Sequence, residues 1–136
     1  MASIKLSQAL QVLEQGVERM DNPAGKAVCL SICDAQGFLV SFVRMDKATL
    51  RSIEIAQRKA YSSVRLGLTT AAFDARLKHE NIPIGYFADA LLTALPGGSV
   101  IHNESGDIIG GVGVSGLTPQ EDQELADDLA GFAKTL

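Results

Sequence analysis

The sequence has little of what metal and acid–base catalysis usually draw on. It holds two histidines, His79 and His102, no H-E-x-x-H pair and no cluster of carboxylates at ligand spacing, which argues against zinc hydrolysis. Basic charge is short and scattered: 12 Lys and Arg stand against 16 Asp and Glu, a net charge of −4. With no basic stripe to neutralise phosphates, nucleic acid is not an expected partner. Long hydrophobic runs are also missing. The first twenty residues contain no continuous apolar core of a signal peptide and nothing approaching membrane-spanning length, so the expectation is a cytoplasmic protein with no membrane partner. The two cysteines lie four apart in AVCLSICD. On a strand they share a face but stand roughly 13 Å apart, beyond the ~7 Å that bridging Cα atoms allow, so both are expected as free, buried thiols.

What the chain does have is glycine, 13 residues of it, and one run, GVGVSG from Gly111 to Gly116, spells G-x-G-x-x-G. In a dinucleotide site this pattern needs a strand before it, a helix start open to phosphate, and a second parallel strand after it. Here the residues after Gly116, LTPQEDQELADDLAGFAKTL, read as one helix whose start is already closed. Thr118 is its cap, Pro119 takes the first helical position and Glu121 completes a capping box. Glu121 and Asp122 answer the positive end of the helix dipole from within, so a phosphate would meet like charge. Nor does GVSG supply the G-x-S-x-G elbow of a serine hydrolase. The glycines point instead to a strand that something must approach closely: a helix, another subunit or a flat ligand.

At 136 residues and 46% hydrophobic content, residues 1–136 are expected to form a single domain with an ordinary core. Leu6, Leu10, Leu13, Val17 and Met20 recur at helical spacing, with Ser7 as a possible cap, and DNPAG ends that helix. Val28, Leu30 and Ile32 alternate with Cys29, Ser31 and Cys33; DAQG then turns into FLVSFVRM, a hairpin. A helix from Thr49 to Leu66 places Ile53, Ala56, Ala60 and Val64 on one small-residue face and stops at Gly67. TAAFDARLKHE, capped by Thr70, reads as another helix, and YFADALLTAL as a short one before PGG. A second hairpin, SVIH to DIIGGVGVS across NESG, precedes the closing helix with Leu125, Leu129 and Phe132 on one side. The order is α-β-β-α-α-(α)-β-β-α. Strands paired in hairpins rather than crossovers give an α+β domain with a central antiparallel sheet of about four to five strands flanked by helices.

The polar residues in apolar company are the candidates for chemistry. Arg44 and Asp46, in VRMDKA, stand where a strand leaves the sheet, either as a functional pair or as a clamp on neighbouring backbone. Lys59, beside Ala60 in AQRKAY, is either a solvated, snorkelling lysine or a partly buried amine that binds an anion or acts as a nucleophile. The amides of Gly97, Gly98 and Ser99 form either an anion nest or a plain loop. Asp122 is a helix-start charge that faces whatever the glycine strand faces. His102, at the end of SVIH, is the candidate metal or haem ligand, with Tyr61 and Met45 as further axial options. His79, in the charged run KHE, is expected in solvent.

Taken in order, DAQG, RMDKA, AQRKA, PGG and GDIIGGVGVSG followed by Asp122 resemble the GlcG/HbpS-like family of small haem-binding and haem-degrading proteins, over residues 4 to 134. The resemblance implies an antiparallel sheet flanked by helices and assembly into dimers or larger homo-oligomers. It also implies that the glycine strand, with Gly111 and Gly113, lines a pocket near Gly97, Gly98, Arg44, Asp46 and Lys59. Members are variously associated with haem, corrinoid metabolism and catabolic gene clusters, which implies two functions. One is a haem-binding oligomer that also promotes haem degradation, with His102 on the iron and Arg44 or Lys59 on the propionates. The other is a cofactor-free deaminase or tautomerase acting on a small carboxylate-bearing enamine, imine or carbonyl metabolite of a catabolic pathway. There Arg44 and the Gly97 and Gly98 amides hold the carboxylate, Asp46 or Asp122 moves a proton, and Lys59 stabilises charge. A scaffold without catalysis is the third reading.

Overall fold

The computed structural model describes residues 2–21 and 24–136. In chain order the elements are α1 (Leu6–Arg19), β1 (Cys29–Asp34), β2 (Leu39–Arg44), α2 (Leu50–Leu66), α3 (Thr70–Glu80), a 3-10 turn (Ile84–Phe87), β3 (Gly98–His102), β4 (Ile108–Ser115) and α4 (Pro119–Lys134). Two hairpins, β1–β2 and β3–β4, are zipped together by antiparallel pairing of β1 with β4, giving one four-stranded sheet of order β2-β1-β4-β3. The α+β expectation holds, with four strands. Asn22 and Pro23 of the expected DNPAG break lie outside the described residues.

Because side chains alternate across a strand, each strand feeds two different interfaces. Val28, Leu30 and Ile32 of the β1 segment and Val112 and Val114 of β4 face α1 and α4, where they join Val12, Leu13, Leu125 and Leu129 in the main core. Cys29 and Cys33 face the other way, against Ala56 and Ala60 of α2, and remain free thiols. On β4, Gly111 stands opposite Cys33 and Gly113 opposite Ser31, which shares that face. A Cβ on Gly113 would collide with the Ala56 carbonyl oxygen. The glycine strand is therefore the track along which α2 lies directly on the sheet, and its small-residue face matches that track.

Several local signals act as the sequence predicts. Thr118 Oγ1 accepts from Glu121 N–H at 3.2 Å, with Pro119 opening α4, and Gly67 closes α2 in the left-handed conformation. Three expectations change. Helix α1 starts before Ser7, with Gln8 Oε1 accepting from Lys5 N–H at 2.9 Å. Thr69 rather than Thr70 caps α3, accepting from Ala72 N–H at 3.0 Å, while Thr70 is buried. YFADALLTAL is not a helix: the 3-10 turn ends at Ala88, whose φ of 56° is left-handed, and the Asp89 side chain is shared between Tyr61 of α2 and the Leu91 N–H two residues on. In α1 the buried side is Ala9, Val12, Leu13, Gly16 and Met20, leaving Leu6, Leu10 and Val17 exposed. The reason is close approach: a Cβ on Gly16 would stand 2.5 Å from Leu30 Cδ1.

Candidate functional site

The predicted site residues separate into three places. The first is a buried polar knot where α2, β4 and α4 meet. Lys59 projects from the sheet-facing side of α2 and is fully buried, as is Asp122 from the first turn of α4. Lys59 Nζ donates to Asp122 Oδ2 at 3.0 Å and to the Val114 carbonyl oxygen at 2.8 Å, and Asp122 Oδ1 accepts from Leu117 N–H at 3.0 Å. Burial pushes the Asp122 carboxyl up and the Lys59 ammonium down, and the charge of each partner opposes the other's shift. The solvated reading of Lys59 is thus overturned. Its ammonium lies in the protein interior and is not positioned for a propionate.

The loop entering β3 is built against this knot. Gly97, at φ 135°, has room for no side chain, since a Cβ would stand 2.7 Å from Lys59 Nζ. Gly97 N–H donates to Gln123 Oε1 at 2.8 Å and Gly98 N–H to Thr70 Oγ1 at 2.9 Å. Those amides are engaged within the chain, so the anion nest expected at Gly97, Gly98 and Ser99 is closed by Gln123 and Thr70. Gln123 Nε2 in turn reaches the Gly98 carbonyl oxygen at 3.0 Å and Asp127 Oδ1 at 2.9 Å, and Ser99 Oγ donates to the same Asp127 oxygen. Sequence reasoning missed Gln123 and Asp127. Their four-residue spacing on a helix was the available signal, since such pairs share a face.

The second place is the exit of β2. Arg44 Nη2 donates to the Ala48 carbonyl oxygen at 3.4 Å, a clamp on the connection to α2, and both Arg44 and Asp46 are exposed beside a shallow depression with Glu18, Asp21 and Lys47. The third is the far end of β3. His102 is exposed, next to a register shift in the β3–β4 pairing, on the rim of an open 350 Å³ cleft walled by Leu68, Ala72, Val100 and Ala130. Arg44 belongs to one edge strand and His102 to the other, at opposite ends of the sheet, three strand spacings of about 4.8 Å apart. The chain therefore does not gather Arg44, Lys59, Asp122 and the Gly97 and Gly98 amides around one ligand, and Gly111 and Gly113 face α2 rather than a cleft. His79 is exposed at the end of α3. Among the described residues no group of three or more His, Cys, Asp or Glu is placed to hold a metal ion, and no helix is long and apolar enough to cross a membrane.

Residues 4–130 match the family of haem-degrading proteins described as HbpS-like. The fold superposes on the Klebsiella pneumoniae protein ORFY with a TM-score of 0.88 at 28% identity, covering 100% of this chain and 94% of that one. It superposes on Streptomyces reticuli HbpS, in a double-mutant form, at 0.85 and 23% identity, covering 97% and 88%. For the PduOC:heme complex the values are 0.84 and 24%, covering 96% and 94%. None of the curated proteins matches the chain.

Proposed function

Since the chain belongs to the HbpS-like family, we propose that it binds haem at the open cleft of β3, with His102 as the iron ligand. The observation that carries this reading is the pairing of an exposed imidazole with apolar walls, Leu68, Val100 and Ala130, at the end of the sheet. An imidazole nitrogen is a normal axial donor to haem iron. The family description supports the same reading, as does the fold shared with a protein solved in complex with haem. At 350 Å³ the cleft is at the small end of ligand pockets, so it takes one edge of the macrocycle and leaves the propionate edge in solvent or against a second copy. Bound there, haem supplies redox chemistry at iron; the protein supplies the imidazole and apolar contact. The chain acts as a homo-oligomer, a reading supported by the exposed stripe of Leu6, Leu10 and Val17 along α1, 57%, 51% and 36% accessible.

The test is a haemin titration followed at the Soret band, on wild type and His102→Ala, with light scattering on the same samples. A saturable band that shifts or vanishes in the variant supports the assignment. An identical spectrum in both removes His102 from the iron, and featureless, non-saturating absorbance removes haem.

A further inference from the structure

Beneath α2, at the edge of the sheet away from His102, lies a second and more enclosed space. It is a half-open pocket of 190 Å³ between β1, β2, α2 and the segment after the 3-10 turn. Its floor is Ser31, which sits on the α2 side of β1, opposite Gly113. Ser31 is 1% exposed, and its Oγ is the single buried side-chain polar atom among the described residues without a hydrogen-bond partner. Leaving a buried hydroxyl unpaired is unfavourable, so an orphan hydroxyl in a pocket floor marks a place where a partner is missing.

The walls are held in place. Tyr61 Oη donates to Asp89 Oδ2 at 2.7 Å, and the Arg65 guanidinium lies 4.8 Å from the Tyr61 ring centroid. The other oxygen of Asp89 accepts from Leu91 N–H at 3.0 Å, so one carboxylate fixes both Tyr61 and Leu91. Arg58 Nη1 ties the intervening residue down through the Ala90 carbonyl oxygen at 2.9 Å, while its charge is matched by Glu54 at 2.7 Å. Leu39 of the edge strand closes the remaining side. Walls fixed before binding lower the ordering cost of a ligand.

We propose that this cavity is a binding site for a small, uncharged single-ring compound carrying one hydroxyl or carbonyl group, the ring lying between Leu39, Tyr61 and Leu91 and the oxygen bonded to Ser31 Oγ. Size sets the ring: an apolar cavity of about 150 Å³ holds benzene, and this one is 190 Å³. Neutrality follows from the buried floor, where Ser31 and Cys33 carry no charge, and from the wall, where Arg58 is already paired with Glu54, since burying an unmatched charge against that floor is costly. A hydroxyl both donates and accepts, so Ser31 serves a phenol or a ring ketone equally. Cys33, also on the wall, is no nucleophile: burial pushes its thiol up to about 12, so it stays protonated.

The test uses phenol and toluene as probes, titrated into wild type, Ser31→Ala and Leu91→Trp and followed by two-dimensional NMR. Expected are saturable shifts at Ser31, Tyr61 and Leu91 with phenol, weakened about tenfold in Ser31→Ala, the worth of one hydrogen bond. Toluene affinity should be the same in wild type and Ser31→Ala, and Leu91→Trp, which fills the mouth, should abolish both. Without ligand, Ser31→Ala should match or exceed wild-type stability, since it removes an unpaired buried hydroxyl, and it should keep the wild-type response to haemin. Shifts mapping elsewhere, no saturable binding, or phenol affinity unchanged in Ser31→Ala would each overturn the proposal. So would a marked loss of stability in Ser31→Ala, which would mean that the hydroxyl already has an internal partner.

Discussion

Lys59→Met is the perturbation whose outcome the structure fixes most tightly. It keeps the length and packing of the stem and removes the ammonium that faces Asp122 at 3.0 Å, with side-chain exposures of 0% and 3%. The carboxylate then stays buried, with Leu117 N–H still donating to it at 3.0 Å. Breaking a buried pair by deleting one partner costs about 3–5 kcal/mol, out of a total stability on the order of 5–15 kcal/mol for a domain. Asp122→Asn should cost a similar amount, because it strands the Lys59 charge while keeping an acceptor for Leu117. The double variant removes both charges and keeps that acceptor. Urea unfolding should therefore show it losing far less than the sum of the single losses, with a coupling of about 2 kcal/mol or more. The pH dependence gives a second handle. With its cation gone, Asp122 has a folded-state pKa raised further above the ordinary 3.8 by burial. A group raised in the folded state contributes stability that is fully present below the unfolded value and lost as pH rises through the folded one. The Lys59→Met deficit should thus shrink towards pH 4 and widen towards pH 8. Single losses that add within about 0.5 kcal/mol, or a deficit that does not change with pH, would refute the account of this knot as a mutually neutralising buried pair.

Gly113→Ala should lose about 3 kcal/mol or more in the same unfolding assay, the upper range for overpacking, because the obstructing atom is the Ala56 carbonyl of α2, which is backbone and cannot swing away. Gly131→Ala, on the open side of α4 with nothing near its Cβ, should be neutral or mildly stabilising. Cys33, its thiol pushed up to about 12, should resist iodoacetamide at pH 8 until denaturant is added, as followed by mass spectrometry.

The parts of this molecule that were legible in the sequence are those governed by neighbours in the chain. Thr118, Pro119 and Glu121 announce the start of α4, and Gly67 the end of α2, because caps are satisfied within one turn. The two hairpins follow from alternation interrupted by DAQG and NESG. Local rules mislead where a distant group competes. Asp89 bonds Tyr61, twenty-eight positions earlier, and so YFADALLTAL stays unwound. On α1 the leucine spacing was plain, but which side turns inward depended on Gly16 meeting Leu30 and Leu129. The candidate site was partly visible: Lys59, Asp122 and Gly97 do adjoin one another, yet nothing in AQRKAY distinguishes a buried lysine from a solvated one.

By itself the sequence determined the order of elements, the antiparallel hairpins, the free thiols and the exclusion of a dinucleotide fold, all consequences of periodicity, capping and charge over a few residues. The tertiary structure alone decided that β1 and β4 pair at the centre of the sheet, because strand order depends on which hairpin faces bury together. From that pairing follow the track on which α2 presses against Gly111 and Gly113, the burial of Lys59 against Asp122, and the separation of Arg44 from His102. The same pairing left Ser31 at the floor of a half-open pocket with its hydroxyl unanswered, since a residue's partners in space are set by the register between strands far apart in the chain.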